Sequence, residues 1–429
     1  MLHLLEVCCA LPFGSWLPFP KMMKCQWRSF GYKSKVVVLC SIANFINAAD
    51  RVLMPLAIVP MAIEYKWSLY WQGWILSGFA FGYFTSQIMG AIAVNNYGGR
   101  RVLCFAVLLW SLSTAATPLA APHLPALICT RVILGLGEGL GLPTIFQLFA
   151  QHIPAEERSR AFGYMVAAGS IGQTVASLFV PHLDWRVSFE LFGLVGLVWV
   201  VCWLLTYHDP PILSDEEGQQ LIEQEKTCVS WVEWISHWSL WSIYIAHFAM
   251  NWSNYIIMQW LPTYLSRTLG ANKESMSLTA VPYIINSLFG VAWGHIADQL
   301  ISVGWPVIRV RRLMTLFGLM GPGLCLTLFP EVSNLVVAVL VISMAMGLCA
   351  ANSSGHLSNH ADVAPNHAGI TFAISNTIAT IPGILCGPLT AELVVASHGR
   401  WFPVFFLAGT INFTASMIYH TQSSAKPVL

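Results

Sequence analysis

The chain has 429 residues, 56% of them hydrophobic and only 10% charged, with a net charge of +1 and a mean hydropathy of +0.63. A water-soluble protein carries about 25% charged residues, so there are too few polar side chains here to cover a surface facing water. The near-neutral balance, with basic residues in short clusters between apolar runs, excludes a nucleic-acid binder; the solvent that fits is lipid, where a spanning helix needs about 20 mostly apolar residues.

In chain order, residues 1–35 form a tail. Its start, MLHLLEVCCALPFGSWLPFP, is apolar but broken by Glu6 and three prolines. It lacks the basic start of a secretory signal and is poor in Arg and Ser for a transit peptide, so its purpose is unassigned, with targeting as the alternative. Twelve segments then have the length and apolarity to span: 36–62, 72–94, 102–121, 124–150, 160–181, 187–206, 239–264, 277–299, 311–329, 333–353, 369–395 and 401–420. Backbone groups in lipid must be satisfied internally, so each is expected to be a helix and the fold class to be an all-α membrane protein. The longest polar interval, 208–230, divides them six and six. Pro210–Pro211 ends the sixth helix, and Ser214–Asp215–Glu216–Glu217 reads as the capped start of a short surface helix. The expected organisation is a tail over 1–35, a six-helix half over 36–206, a central loop over 207–236, a second half over 237–421 and a tail over 422–429.

Basic residues give the orientation. One face collects Lys21, Lys24, Arg28, Lys33, Lys35, Arg100, Arg101, Arg158, Arg160, Lys226, Arg309, Arg311, Arg312 and Lys426; the other has Lys66, Arg186, Arg267, Lys273 and Arg400. Both termini are therefore expected on the cytosolic side or its equivalent. The halves also echo each other. GAIAVNNYGGRRVL (90–103) follows the second segment and GVAWGHIADQLISVGWPVIRVRR (290–312) follows the start of the eighth. Each has a glycine, a polar residue at the membrane edge and a basic turn, as in molecules that rock about a site between two repeated halves.

A charge at the centre of a spanning helix costs roughly 2.5–3.5 kcal/mol. Four ionisable residues are deep: Asp50, Arg51, Arg131 and Glu138; Glu190, His247, His295 and Glu392 lie nearer segment ends. Arg131 and Glu138 sit in TRVILGLGEGLGLPT (130–144), seven positions apart. At about 100° and 1.5 Å per residue they face nearly the same way, about 10 Å apart, too far to pair but suited to two levels of one cavity. Gly135, Gly137, Gly139 and Gly141 offer a smooth strip for another helix or a ligand. On the functional reading Arg131 binds an anion or holds a gate and Glu138 takes a proton; on the packing reading both brace neighbouring helices. In the first segment Asn47 and Arg51 share a face, with Asn44 a turn back. A guanidinium ringed by amides matches two oxygens of a carboxylate or phosphate. Asp50, about 100° around the helix, either pairs elsewhere or holds Arg51 neutral until an anion displaces it.

Further polar positions are Asn251, Asn254, Tyr255 and Gln259 in the seventh segment, Asn286 in the eighth, Asn352 and Ser353 in the tenth, and Ser375, Asn376 and Thr377 in the eleventh. Intramembrane amides often bond neighbouring helices, so each is a packing residue as readily as a ligand. In HLSNHAD (356–362), His356, His360 and Asp362 have a metal-like spacing, but a zinc-protease helix needs Glu where Leu357 stands, so no metal and no cofactor is expected. The 11 cysteines include no CxxC pair and read as small hydrophobes. Tryptophans such as Trp67, Trp71, Trp74, Trp231, Trp234 and Trp401 fall near the expected membrane boundaries, where they anchor helices.

These motifs carry a resemblance. GAIAVNNYGGRRVL resembles the loop 2–3 signature of the major facilitator superfamily, with Gly90, Gly98, Gly99, Arg100 and Arg101 in place and Asn95 where the signature has Asp. ADRVLMPLAIVPMA (49–62), RVILGLGEG (131–139), NWSNYIIMQWLPTYL (251–265) and NHADVAPNHAGITFAISNTIATIPGI (359–384) are similar to its anion:cation symporter branch. That branch holds vesicular glutamate, sialic acid and nucleotide carriers and plant plastid phosphate transporters. The resemblance implies two six-helix halves of a major facilitator fold. It implies Arg51 and Arg131 as anion contacts; Asn47, Asn251, Tyr255 and Asn376, from the reading of polar positions above, complete the candidate substrate site. Glu138, with Asp50, would couple to protons, and Gly90, Asn95, Arg100, Arg101 and Asp298 would gate. Met250 and Leu76 stand where the glutamate carriers have Arg and His, which turns the expectation away from glutamate. AAGSIGQTVASLFVP (167–181) lacks the Gly-Pro antiporter motif, which favours symport or uniport.

The expectation is a monomeric carrier moving a small anion, phosphate before others, with H⁺, Na⁺ or the membrane potential as drive. The membrane is a plastid envelope or that of another organelle. The alternatives are a sugar or drug carrier of the same superfamily, and a transport-dead receptor. A membrane enzyme is the remaining class, and no nucleophile or metal set at one depth supports it.

Overall fold

Apolar runs longer than a bilayer is thick can satisfy their backbone only as helices. The computed structural model describes residues 31–153, 155–207, 233–365 and 367–428, and among them are twelve long helices and no strand. The first six are α1 Tyr32–Glu64, α2 Leu69–Tyr97, α3 Gly99–Ala120, α4 Leu124–His152, α5 Ala155–Phe179 and α6 Trp185–Thr206. The next three are α7 Trp238–Leu269, α8 Ala280–Ser302 and α9 Val307–Leu328. Then come α10 Leu335–Val363, interrupted between Cys349 and His356, α11 Ala368–Ala396, interrupted at Ala379–Thr380, and α12 Phe402–Gln422. Much of the expected tail and central loop, with the surface helix at 214–217, lies outside the described residues.

Ten helices are long and apolar enough to cross a membrane on composition alone. The other two, α2 and α7, have 29 and 32 residues and stand where the two halves meet. Helix ends follow local chemistry. Asp184 caps α6 by accepting from Arg186 N at 2.8 Å, and Asn334 caps α10 by accepting from Val336 N and Val337 N.

The packing repeats. In the first half α1 lies on α5, α2 on α4, and α3 on α4 and α6; in the second α7 lies on α11, α8 on α10, and α9 on α10 and α12. Across the halves α1 meets α7, and the matching pairs α2–α11 and α5–α8 complete the interface. The turns that echo each other in sequence each hold a left-handed glycine, Gly98 (φ 80°) and Gly304 (φ 96°). A side chain there would be strained, so the repeated glycine is a backbone requirement.

The α4 glycines form two strips, not the single strip expected. Positions two apart lie about 200° around a helix. Gly135 and Gly139 therefore face α2, at Phe79, Tyr83 and Ser86, whereas Gly137 and Gly141 face Trp110 of α3. On the α2 side Gly82 returns the contact against Val132, so backbone lies on backbone.

The basic turns (Arg100 and Arg101, Arg160, Arg309 to Arg312) lie at one end of the bundle, here the basic face. Hydrogen bonds between the halves begin at the opposite face, where Ser277 meets His182 and Leu178 O. They continue through Ser77 to Gly383 O and end at Gln87 with Asn376 and Thr380. Gln87 is about 15 Å short of the α2 end at the basic face. Among the described residues these bonds run from the opposite face to the level of Gln87.

Gly135→Ala should place a methyl against the Phe79 carbonyl and lower stability by about 1–3 kcal/mol. Thermal unfolding in detergent checks this; an unchanged melting temperature would mean that α2 and α4 can separate freely.

Candidate functional site

The adjacent charges of α1 diverge because neighbours on a helix are about 100° apart. Arg51 turns towards α2 and α4, where its Nε donates to Glu138 Oε2 at 2.8 Å. Its guanidinium carbon lies 4.7 Å from the Tyr83 ring centre and 5.2 Å from that of Phe79. Asp50 turns the other way, beside Thr114 and within electrostatic reach of Arg131. Arg131 in turn lies over Phe189 at 5.7 Å. Asp50 and Arg131 are each 2% exposed and Glu138 is fully buried.

Two cations and two anions therefore share one buried region with no formal net charge, which is what makes their burial tolerable. Their hydrogen bonds are far from saturated. Arg51 Nη2, Arg131 Nε and Nη2, both oxygens of Asp50 and Glu138 Oε1 have no hydrogen-bond partner. Buried donors of this kind are rare and costly, and guanidinium groups with free N–H are ready receptors for oxyanions.

Asp50, Arg51 and Arg131 line a cavity of about 20 Å³ with Leu76 of α2 and Gln259 of α7. That space takes one water-sized group. Anything larger must displace a side chain, and the Glu138 carboxylate already occupies an anion's place on Arg51. A larger space of about 440 Å³ lies between α7, α11 and α12, but Trp241, Phe248 and Ile411 line it with no charged group, so it has no means of recognising an anion.

The remaining sequence candidates fall into three groups. Asn47 is buried beside Glu138, and the Tyr255 ring lies against Gly383 within electrostatic reach of Arg51. Asn251 and Asn376 clasp the break in α11. Asn251 Nδ2 donates to Ala379 O at 2.9 Å and Asn376 Nδ2 to Gln87 Oε1 at 2.6 Å. The described members of the gating set lie as follows. Gly90 packs on the α4 backbone at Leu140, Arg100 donates to Leu204 O at 3.3 Å within its own half, and Arg101 and Asp298 are exposed. The Asn95 side chain lies outside what is described. In HLSNHAD, Asp362 accepts from Arg311 Nε at 2.7 Å, while His356 and His360 point into the bundle towards His247 and Tyr244.

Sequence reasoning missed the aromatic faces under the arginines, because nothing in an apolar run marks which way Phe79, Tyr83 and Phe189 point. It also missed Gln87, whose Nε2 donates to Thr380 Oγ1 at 2.9 Å. A glutamine amid an apolar run was the available signal.

Residues 40–386 match the family model described as Major Facilitator Superfamily. Over 418 residues the chain is 32% identical to a probable anion transporter 4, chloroplastic, of Oryza sativa subsp. japonica, covering 94% of this chain and 70% of that protein. It is 33% identical over 420 residues to the sodium-dependent phosphate transport protein 1, chloroplastic, of Arabidopsis thaliana, covering 94% and 81%. It is 33% identical over 380 residues to sialin of Ovis aries, covering 83% and 76%. Among solved structures, an inward-facing, unoccupied bacterial homologue of the human lysosomal transporter Spinster superposes with a TM-score of 0.78 at 17% identity, over 92% of this chain and 98% of that one. A D-xylose-proton symporter superposes at 0.75 and 15% identity, over 93% and 100%.

Removing one member of the central pair leaves a buried charge without its partner, a loss of about 3–5 kcal/mol. Arg51→Ala should therefore lower the melting temperature. Adding Glu138→Gln, which removes the stranded charge, should restore most of it. Additive losses in that double-mutant cycle would mean the two residues do not interact.

Proposed function

Because the chain belongs to the Major Facilitator Superfamily, we propose that it is a secondary carrier that moves a small anion by alternating access, with Arg51 and Arg131 as its receptor. The observation that carries this reading is the Arg51–Glu138 pair, surrounded by guanidinium N–H groups with no partner, at the junction of two repeated halves. Relatives named as anion and phosphate transporters support phosphate as the first substrate to try, and their chloroplastic designation supports a plastid envelope.

The charge balance gives the coupling. An anion that binds Arg51 must displace the Glu138 carboxylate, which would leave a buried negative charge in excess. A proton on Glu138 removes that excess. One proton then accompanies one monovalent anion, and neither is stable in the site without the other. Asp50 stays with Arg131 and keeps the second guanidinium oriented. Both ligands arrive from the basic face. Closure there and release of the Ser77, Gln87 and Ser277 contacts would deliver them to the other side. A sodium ion at the carboxylates is the alternative charge carrier, in keeping with one relative's name.

The test is uptake of radiolabelled phosphate into proteoliposomes under imposed pH, Na⁺ and potential gradients. Saturable uptake is expected, driven by the proton gradient and abolished by Arg51→Ala in protein that still inserts. Glu138→Gln, a mimic of the protonated acid, should keep anion exchange while losing acceleration by a pH gradient. Normal uptake by Arg51→Ala would remove the receptor role. A sodium requirement with no response to pH would replace the proton.

A further inference from the structure

Gln259 of α7 is the polar residue that the second half, with Met258, brings to the cavity lined by Asp50, Arg51 and Arg131, and it is 1% exposed. Its amide orientation is fixed. Nε2 lies 3.3 Å from Gly383 O and 3.5 Å from Leu76 O, both acceptors, so a flipped amide would set oxygen against two carbonyls. That leaves Oε1, which is buried and has no partner. It is a neutral acceptor in a site whose other free groups include guanidinium donors. A ligand that only accepts hydrogen bonds satisfies the arginines and leaves Oε1 unpaired. A ligand that also carries an O–H satisfies both.

We propose that Gln259 is a specificity-determining residue that selects anions bearing a hydroxyl or a protonated oxygen over equally shaped anions without one. The inference rests on the anion-carrier reading. Phosphate and sulfate provide the comparison. Both are tetrahedral and of similar size, but at neutral pH phosphate keeps at least one P–OH and sulfate keeps no proton. Lactate and propionate provide the same comparison for a carboxylate. A buried polar group left unpaired discriminates more strongly than a change in apolar contact.

The experiment measures exchange of labelled phosphate in proteoliposomes, competed by sulfate, with lactate and propionate as the second pair. Wild-type protein should prefer the hydroxylated member of the pair it accepts by tenfold or more. Gln259→Met keeps the length of the side chain and removes the acceptor, so the preference should collapse through weaker binding of the hydroxylated member alone. Gln259→Asn keeps the amide but withdraws it, and should give an intermediate ratio. It also serves if the Met variant does not fold. A ratio unchanged in both variants, or a fall of both members by the same factor, overturns the proposal and assigns Gln259 to packing. Should wild-type protein accept neither pair, with Arg51→Ala giving the same null result, the carrier reading for these anions fails and this inference falls with it. Uptake that needs Arg51 but ignores Gln259 sinks this inference alone.

Discussion

The structure depends on keeping two positive and two negative side chains together in the interior, three of them buried and Arg51 only partly exposed. Each is expensive alone, and the set is tolerable because its charges cancel and aromatic faces lie under both guanidinium groups. Everything near the centre serves that condition. The glycines of α4 bring α2 close enough to place Phe79 and Tyr83 under Arg51. The divergence of Asp50 and Arg51 from one turn of α1 joins α3, α4 and α2 to a single electrostatic unit. On the proposed reading, a proton on the displaced carboxylate lets the unit exchange an internal ion pair for an external one without changing its net charge.

The repeated packing explains how such a unit can face two sides in turn. The interface consists of the self-matching pair α1–α7 and the mutually matching pairs α2–α11 and α5–α8. A rotation of one half about α1 and α7 tightens one end of the interface as it loosens the other. The break in α11 at Ala379–Thr380, held by Asn251 and Gln87, gives one of these helices two segments that need not move as one.

Much of this was legible in the sequence. Hydropathy separates the helices, because a run of apolar residues in lipid has one solution. It also exposes the deep charges, because nothing in an apolar helix accounts for them. The seven-residue spacing of Arg131 and Glu138 sets both on one face of α4. What periodicity cannot give is the partner from another helix. Arg51 meets Glu138 from 87 positions away, and only the packing of α1 on its neighbours decides that. The glycine strip shows the same limit in miniature: spacing two apart sends neighbours to opposite sides, so one motif serves two interfaces. Gln87 and Gln259 were hard to rank for another reason. An amide in a span bonds a helix or a ligand equally well, and only its partners tell which.

The clasp between the halves is built from hydroxyls, amides, carbonyl oxygens and, at its outer end, the His182 imidazole. The ion pairs Arg51–Glu138, Arg186–Glu64, Arg186–Asp184 and Arg311–Asp362 each stay inside a single half. Dissolved salt screens exposed charges over about 8 Å at physiological ionic strength, but it has little hold on neutral hydrogen bonds out of water. Ionic strength can therefore alter how readily a charged solute reaches the molecule while leaving the balance between its two open forms almost untouched. A protein so made would keep the same conformational set-point in compartments whose salt content differs widely.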